Sequence, residues 1–226
     1  MHLPTGLELA VVPAASFEMG LRDADVRQLS EHVALEGAVE ASLASLRRRA
    51  TPTRQVYVPA FVVTARPLDT DEVRRSSEGR LRSDRVTRDE ARELAASLRL
   101  RLPSEAELEY LAREGGAQSF VANAASVWRR TGRLPRRSAQ GIEGLHLGEW
   151  SDDDWHDDYV GAPSDARAWR SGGERGVYRG AFPFGFDEGP ETLVNALACH
   201  RGRGALSGEP SDEVRMTFRL VCDLPR

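Results

Sequence analysis

The 226-residue chain predicts an α+β fold, loop-rich, with short strands and two or more packed helices. Three observations carry this. Two helix starts are spelled out by capping boxes, at Thr87 and at Ser104. Short apolar, β-branched stretches at 7–12, 56–64 and near the end of the chain read as strands. Beyond Gly116, glycine and proline become frequent and periodicity fades, so the second half is largely loop.

In chain order, residues 7–12 form an apolar run closed by Pro13, a first strand that leads to a turn at Phe17-Glu18-Met19-Gly20. Over 23–49, Val26, Leu29, Val33, Leu35, Val39, Leu43 and Leu46 recur at helical intervals with one break, between Val33 and Leu35. This predicts an amphipathic helix or two short ones. Arg47-Arg48-Arg49 places positive charge at the negative end of the dipole. The stripe serves either the domain's own core or a docking partner. Residues 56–64 follow as one strand, then a polar segment over 69–85. The Thr87 helix aligns Ala91, Leu94, Ala95 and Leu98 on one face, which should pack against the next helix.

That next helix is the best specified. Pro103 blocks an earlier start, the Ser104 hydroxyl is placed to accept from the Glu107 amide, and the Glu107 carboxylate to accept from the Ser104 amide. Glu105 and Glu107 put negative charge at the positive end of the dipole, Leu108, Leu111 and Ala112 line one face, and Gly115-Gly116 offers a left-handed stop.

Composition sets limits. A 40% hydrophobic chain of this length can bury one substantial core, and its length alone allows one domain or two small ones. With a net charge of −4 and a pI near 5.8, no global positive field exists to hold a phosphate backbone, so nucleic acid is not the expected partner. All 31 basic residues are arginine, as a GC-rich coding sequence would produce. No stretch reads as a secretion signal or a membrane span, and a cytoplasmic protein is expected. Cys199 and Cys222 match neither a disulfide framework nor a zinc spacing and read as buried thiols.

The stretch Arg101-Leu102-Pro103-Ser104-Glu105-Ala106-Glu107-Leu108-Glu109-Tyr110-Leu111-Ala112-Arg113-Glu114-Gly115-Gly116 resembles the signature of the formylglycine-generating-enzyme, or sulfatase-modifying-factor, superfamily. Other landmarks stand in that superfamily's order: Phe17-Glu18-Met19-Gly20, Val56-Tyr57-Val58-Pro59-Ala60-Phe61-Val62-Val63, Glu149-Trp150-Ser151-Asp152, Tyr178-Arg179-Gly180-Ala181, Arg201-Gly202-Arg203 and Thr217-Phe218-Arg219-Leu220-Val221. The resemblance runs nearly end to end and implies a single domain over 1–226 with a helical insertion at about 23–49. It implies a variant of the C-type lectin fold with short antiparallel strands, and Arg101, Ser104, Glu105, Glu107 and Arg219 as structural signature residues. Arg201, Arg203, Arg175 and Arg179 either form an anion-binding rim or, as the resemblance implies, pair with carboxylates of the signature helix.

The resemblance also implies what this chain lacks. Enzymes of that superfamily oxidise a cysteine with a thiol pair that suits copper(I), placed shortly after the motif that Arg179-Gly180-Ala181 echoes. Here the following residues are Phe182-Pro183-Phe184-Gly185-Phe186-Asp187-Glu188-Gly189-Pro190, with no thiol, so a divergent member without the catalytic pair is expected. The histidines, His2, His32, His146, His156 and His200, show no two-histidine, one-carboxylate spacing. Residues 152–158 read as a solvated acidic loop, with weak calcium binding at Glu149, Asp152, Asp153 and Asp154 at most. Trp150, Trp155 and Trp169 lie in the loop-rich region as aromatic anchors or as core.

The expected function is therefore a non-catalytic protein- or peptide-binding or regulatory module, with Trp150, Trp155, Trp169, Arg201 and Arg203 as binding residues and no cofactor other than calcium. The alternative is a metal-dependent oxidase with a non-thiol site built from His146, His156, His200 and neighbouring carboxylates. Oligomeric state is open.

Overall fold

The computed structural model describes residues 7–68, 86–121, 137–145, 147–180, 189–205 and 216–224. Its first four strands are β1 (Leu9–Val12), β2 (Ala15–Met19), β3 (Arg54–Val58) and β4 (Phe61–Thr64). The apolar 56–64 stretch thus forms parts of two strands, because Pro59 brings no amide donor and the halves join different sheets. β3 pairs antiparallel with β2, from Ala15↔Val58 to Met19↔Arg54. β4 lies between β1 and β8 (Val221–Asp223).

Phe17 and Met19 are strand residues and not a turn. In β2 and β3 the period-two alternation turns Phe17, Met19, Val56 and Val58 inward. The bend falls one residue later, at Gly20, whose φ of +104° favours glycine. A third antiparallel sheet joins β5 (Glu149–Asp154), β6 (Arg175–Arg179) and β7 (Arg201–Ala205).

The 23–49 insertion forms two helices, α1 (Asp23–Ser30) and α2 (Gly37–Arg49). Its stripe packs at home. Leu29, Val39, Leu43 and Leu46 are buried in the main core with Phe17, Met19, Val56, Leu111 and Cys199, so this apolar face is not a free docking surface.

Both capping boxes form. In α3 (Arg88–Ser97), Glu90 N donates to Thr87 Oγ1 and Thr87 N to Glu90 Oε2. In α4 (Glu105–Ala112), Ser104 N donates to Glu107 Oε2 at 2.8 Å and Glu107 N to Ser104 Oγ at 3.1 Å. Glu114, Gly115 and Gly116 all take positive φ after α4, so the left-handed stop begins one residue before the glycine pair.

The two helices do not share one apolar interface. The inner face of α3 joins a second core cluster of Ala91, Leu94, Ala95, Leu102, Trp150, Phe218 and Leu220, while Ala106, Tyr110, Leu111 and Ala112 of α4 belong to the main core. Both helices pack against β5. Moreover, α4 is buried on every side, at all eight positions, and is not the one-faced helix its sequence suggests. A short helix, α5 (Thr192–Asn195), completes the described elements.

Gly180, at the end of β6, has a φ of +102° and leaves no room for a side chain: a β-carbon there would overlap the Leu147 carbonyl. Gly180→Ala is expected to destabilise the fold by about 3 kcal/mol or more. The check is the midpoint of urea unfolding, and an unchanged midpoint would mean that the 147–148 backbone yields freely.

Candidate functional site

The signature helix α4 buries three carboxylates and gives each a cation. Two-residue spacing on a helix sends Glu107 away from Glu105 and Glu109, which share a face. Glu107 therefore meets Arg101, both guanidinium nitrogens lying 2.7 Å from its oxygens, and Arg101 also reaches Asp223 beside β8. On the other face Arg179 of β6 bridges the pair, with Nη1 at 2.9 Å from Glu105 Oε1 and Nη2 at 2.8 Å from Glu109 Oε2. Arg201 of β7 pairs with Glu105, and the Tyr159 hydroxyl donates to it at 2.8 Å. Burial by itself would raise the Glu105 pKa; Arg201, Arg179 and the Tyr159 hydroxyl outweigh it and hold the carboxyl below its ordinary range.

Glu109 carries the network onward. Its Oε1 accepts from the Gly20 amide and from Arg113 Nε, both at 2.8 Å, while Arg113 Nη2 donates to the Gly20 carbonyl and pairs with Asp25 of α1. The β2–α1 corner is thus pinned to α4 and its C-cap through both the N–H and the C=O of Gly20. Glu149, the cross-strand partner of Arg179, is gripped by Arg219 with two contacts of 2.6 Å.

Of the segment expected as a solvated acidic loop, residues 152–154 instead belong to strand β5 with Asp152, Asp153 and Asp154 buried, while 155–158 lie beyond the strand and Asp157 is exposed. Three aspartates are tolerated there because each is satisfied. Asp152 pairs with Arg92 and Arg170. Asp153 accepts from the amides of Glu105 (2.7 Å) and Trp169 (2.9 Å). Asp154 pairs with Arg88 and accepts from the amides of Ser171 and Gly172. Together they clamp residues 169–172 onto the sheet. A calcium ion at Glu149, Asp152, Asp153 and Asp154 would have to displace all these donors, and no group of three metal-ligating side chains assembles among the described residues.

The other sequence-predicted residues separate by depth. Trp150 is core, its indole N–H donating to the Val86 carbonyl at 2.9 Å. Arg201 is fully buried, its guanidinium 4.4 Å from the Trp155 ring centroid and 4.6 Å from that of Tyr159. Trp155, Trp169 and Arg203 stand at the surface side of this stack. Trp155 and Trp169 are half-buried, Trp169 lies parallel on His156 with ring centroids 3.5 Å apart, and Arg203 is half-exposed beside Trp155 and Asp157.

His146 and Phe182–Phe186 lie outside the described residues, as does His2. His200 is buried, with Nε2 3.2 Å from Arg49 Nη2; burial, Arg49 and Arg179 push its pKa down to about 3. Burial pushes the Cys199 thiol up to about 12, which keeps it protonated and inert. Cys222 differs from the expected buried thiol: it is half-exposed on β8, at the margin of a three-stranded sheet.

Sequence reasoning missed Asp25, Arg88, Arg113 and Tyr159, which complete these pairs. One signal was available: in Arg201-Gly202-Arg203-Gly204 the period-two alternation sends arginines to one face, while Gly202 and Gly204 leave room under the Tyr178 and Trp150 rings on the other.

No known family profile and no curated protein matches the sequence. Solved structures do. PvdO from Pseudomonas aeruginosa aligns at 24% identity over 96% of this chain and 95% of its own, with a TM-score of 0.67. Treponema denticola variable protein 1 aligns at 12% identity over 99% and 98%, with a TM-score of 0.64. CarF aligns at 14% identity over 97% and 99%, with a TM-score of 0.54. The fold is formylglycine-generating-enzyme-like. At these identities the likeness concerns the fold and carries no activity. Within this fold the carboxylates of α4 act as internal fasteners, each holding a separate strand or loop to the helix. No described helix is long and apolar enough to cross a membrane.

Proposed function

We propose that this chain is a non-catalytic recognition or regulatory module that binds a protein or peptide on the surface formed by Trp155, Trp169 and Arg203. The observation that carries the reading is the Arg201 stack: a buried guanidinium, tied to Glu105, holds the Trp155 ring in place from beneath. A pre-set aromatic flanked by a half-exposed arginine is the composition of an interface anchor, costing little entropy to engage. The thiol and carboxylates that the superfamily resemblance brings to mind are otherwise occupied, Cys199 in the core and the glutamates in ion pairs.

Panning a displayed peptide library against the folded protein tests this, with Trp155→Ala and Arg203→Ser as parallel baits. Peptides enriched on the parent and weakened about tenfold or more on Trp155→Ala are expected. Equal recovery on all three baits, or stoichiometric copper or iron in the purified protein, would overturn the reading.

A further inference from the structure

We propose that Arg49, Tyr178 and His200 form a carboxylate-binding subsite where the C-terminal end of α2 meets the start of β7. It goes beyond the peptide surface above, because a free small acid would suffice as ligand.

Arg49 closes α2 and is half-buried. Its Nη2 lies 3.2 Å from His200 Nε2, and its Nε is sealed from solvent with no acceptor. The buried guanidinium groups described above each have a carboxylate: Arg88 has Asp154, Arg113 has Asp25 and Glu109, Arg179 and Arg201 have Glu105, and Arg219 has Glu149. Arg49 has none among the described residues. His200 cannot replace one, since an imidazole is neutral or positive, and here its Nε2 must accept from Arg49 and so carries no proton. A half-buried cation without a counter-charge is costly, and an arriving anion relieves that cost.

Tyr178 supplies a second donor. In the β6–β7 register it stands opposite Gly202, two residues past His200, and the missing side chain lets the phenol lie across β7. The hydroxyl thus lies over Gly202, on the strand that begins beside His200; burial raises its pKa against the pull of the Arg49 charge, so it keeps its proton at neutral pH. Its oxygen has no hydrogen-bond partner among the described residues.

A guanidinium fork and one hydroxyl suit a planar, singly charged carboxylate. Phosphate, near two negative charges at neutral pH, would remain uncompensated against one free cation. The carboxylate can belong to a small organic acid or to a peptide C-terminus. The second source has a route, because Arg201 Nη1 donates both to the Arg49 carbonyl at 2.7 Å and to the His156 carbonyl at 3.1 Å, linking this subsite to the Trp155 surface.

Calorimetric and thermal-shift titrations of the full chain test the subsite, using acetate, inorganic phosphate and pentaalanine with a free or an amidated C-terminus at matched ionic strength. Acetate and the free-carboxyl peptide should bind and raise the melting temperature; the amidated peptide should not. Arg49→Gln and Tyr178→Phe should weaken acetate about tenfold, with Arg49→Gln no less stable than the parent without ligand. A peptide far tighter than acetate assigns a chain terminus, and comparable affinities assign a free acid. Trp155→Ala should keep acetate binding, so a failure of the peptide surface is distinguishable from a failure here. No response to acetate or to the free peptide, undiminished binding in Arg49→Gln, or phosphate equal to acetate would each overturn the proposal.

Discussion

Glu105→Ala should cost about 3–5 kcal/mol of folding stability, the range for removing one partner from a buried ion pair. The reason is what remains. Arg179 and Arg201 are both buried, Arg201 against the Trp155 and Tyr159 rings, and both lose their shared carboxylate. Arg179 retains Glu109 and the Ala198 carbonyl, whereas Arg201 keeps only the carbonyls of Arg49 and His156. Arg201 is therefore the stranded charge, and the double change Glu105→Ala with Arg201→Met should recover part of the loss. Urea unfolding of parent, single and double variants measures this. A single variant within about 1 kcal/mol of the parent would mean that water or a rearranged side chain takes over the carboxylate's role.

In mild acid His200 should contribute a separable loss of stability. Burial, with Arg49 and Arg179, pushes its pKa down to about 3 from an ordinary 6.5. Between these values the unfolded chain takes up a proton that the fold refuses. The His200 contribution is thus complete above pH 6.5 and lost as pH falls toward 3, about 5 kcal/mol as an upper bound. The carboxyls of Asp25 and Asp154, held low by their arginines against burial, add losses of the same sign at lower pH. Asp153 works the other way. Burial, with Glu105 and Asp152, pushes it up to about 7, so its contribution is full below 3.8 and declines as pH rises toward 7. Unfolding free energy measured in steps across this range should decline less from pH 6.5 to 4 in His200→Gln than in the parent. Parallel curves would show that the imidazole is not kept neutral by the fold.

The helices were legible because their signals are local. A capping box is completed within four residues, and both Thr87 and Ser104 start helices as written. The 23–49 periodicity likewise announced α1 and α2, including the break between them. The strands were less so. Residues 56–64 look like one strand until Pro59 is seen to divide two pairing partners, and partner choice depends on residues far along the chain.

The candidate site was half legible. The sequence singled out Trp155, Trp169 and Arg203, which the fold brings to one surface, and it also singled out Trp150, which the fold places in the core. It misread 152–154, since a run of aspartates looks solvated when its counter-charges are unseen. Arg88, Arg92 and Arg170, which neutralise Asp152 and Asp154, come from one helix and one distant loop.

By itself the sequence determined where the helices begin, which faces are apolar, and that no thiol pair follows Arg179-Gly180-Ala181. Only the tertiary structure decided which arginine each carboxylate receives and that Arg49 receives none among the described residues. Caps and periodicities act over a few bonds and are written in neighbouring residues, whereas charge pairing in a low-dielectric interior depends on distances that exist only after the chain has closed on itself.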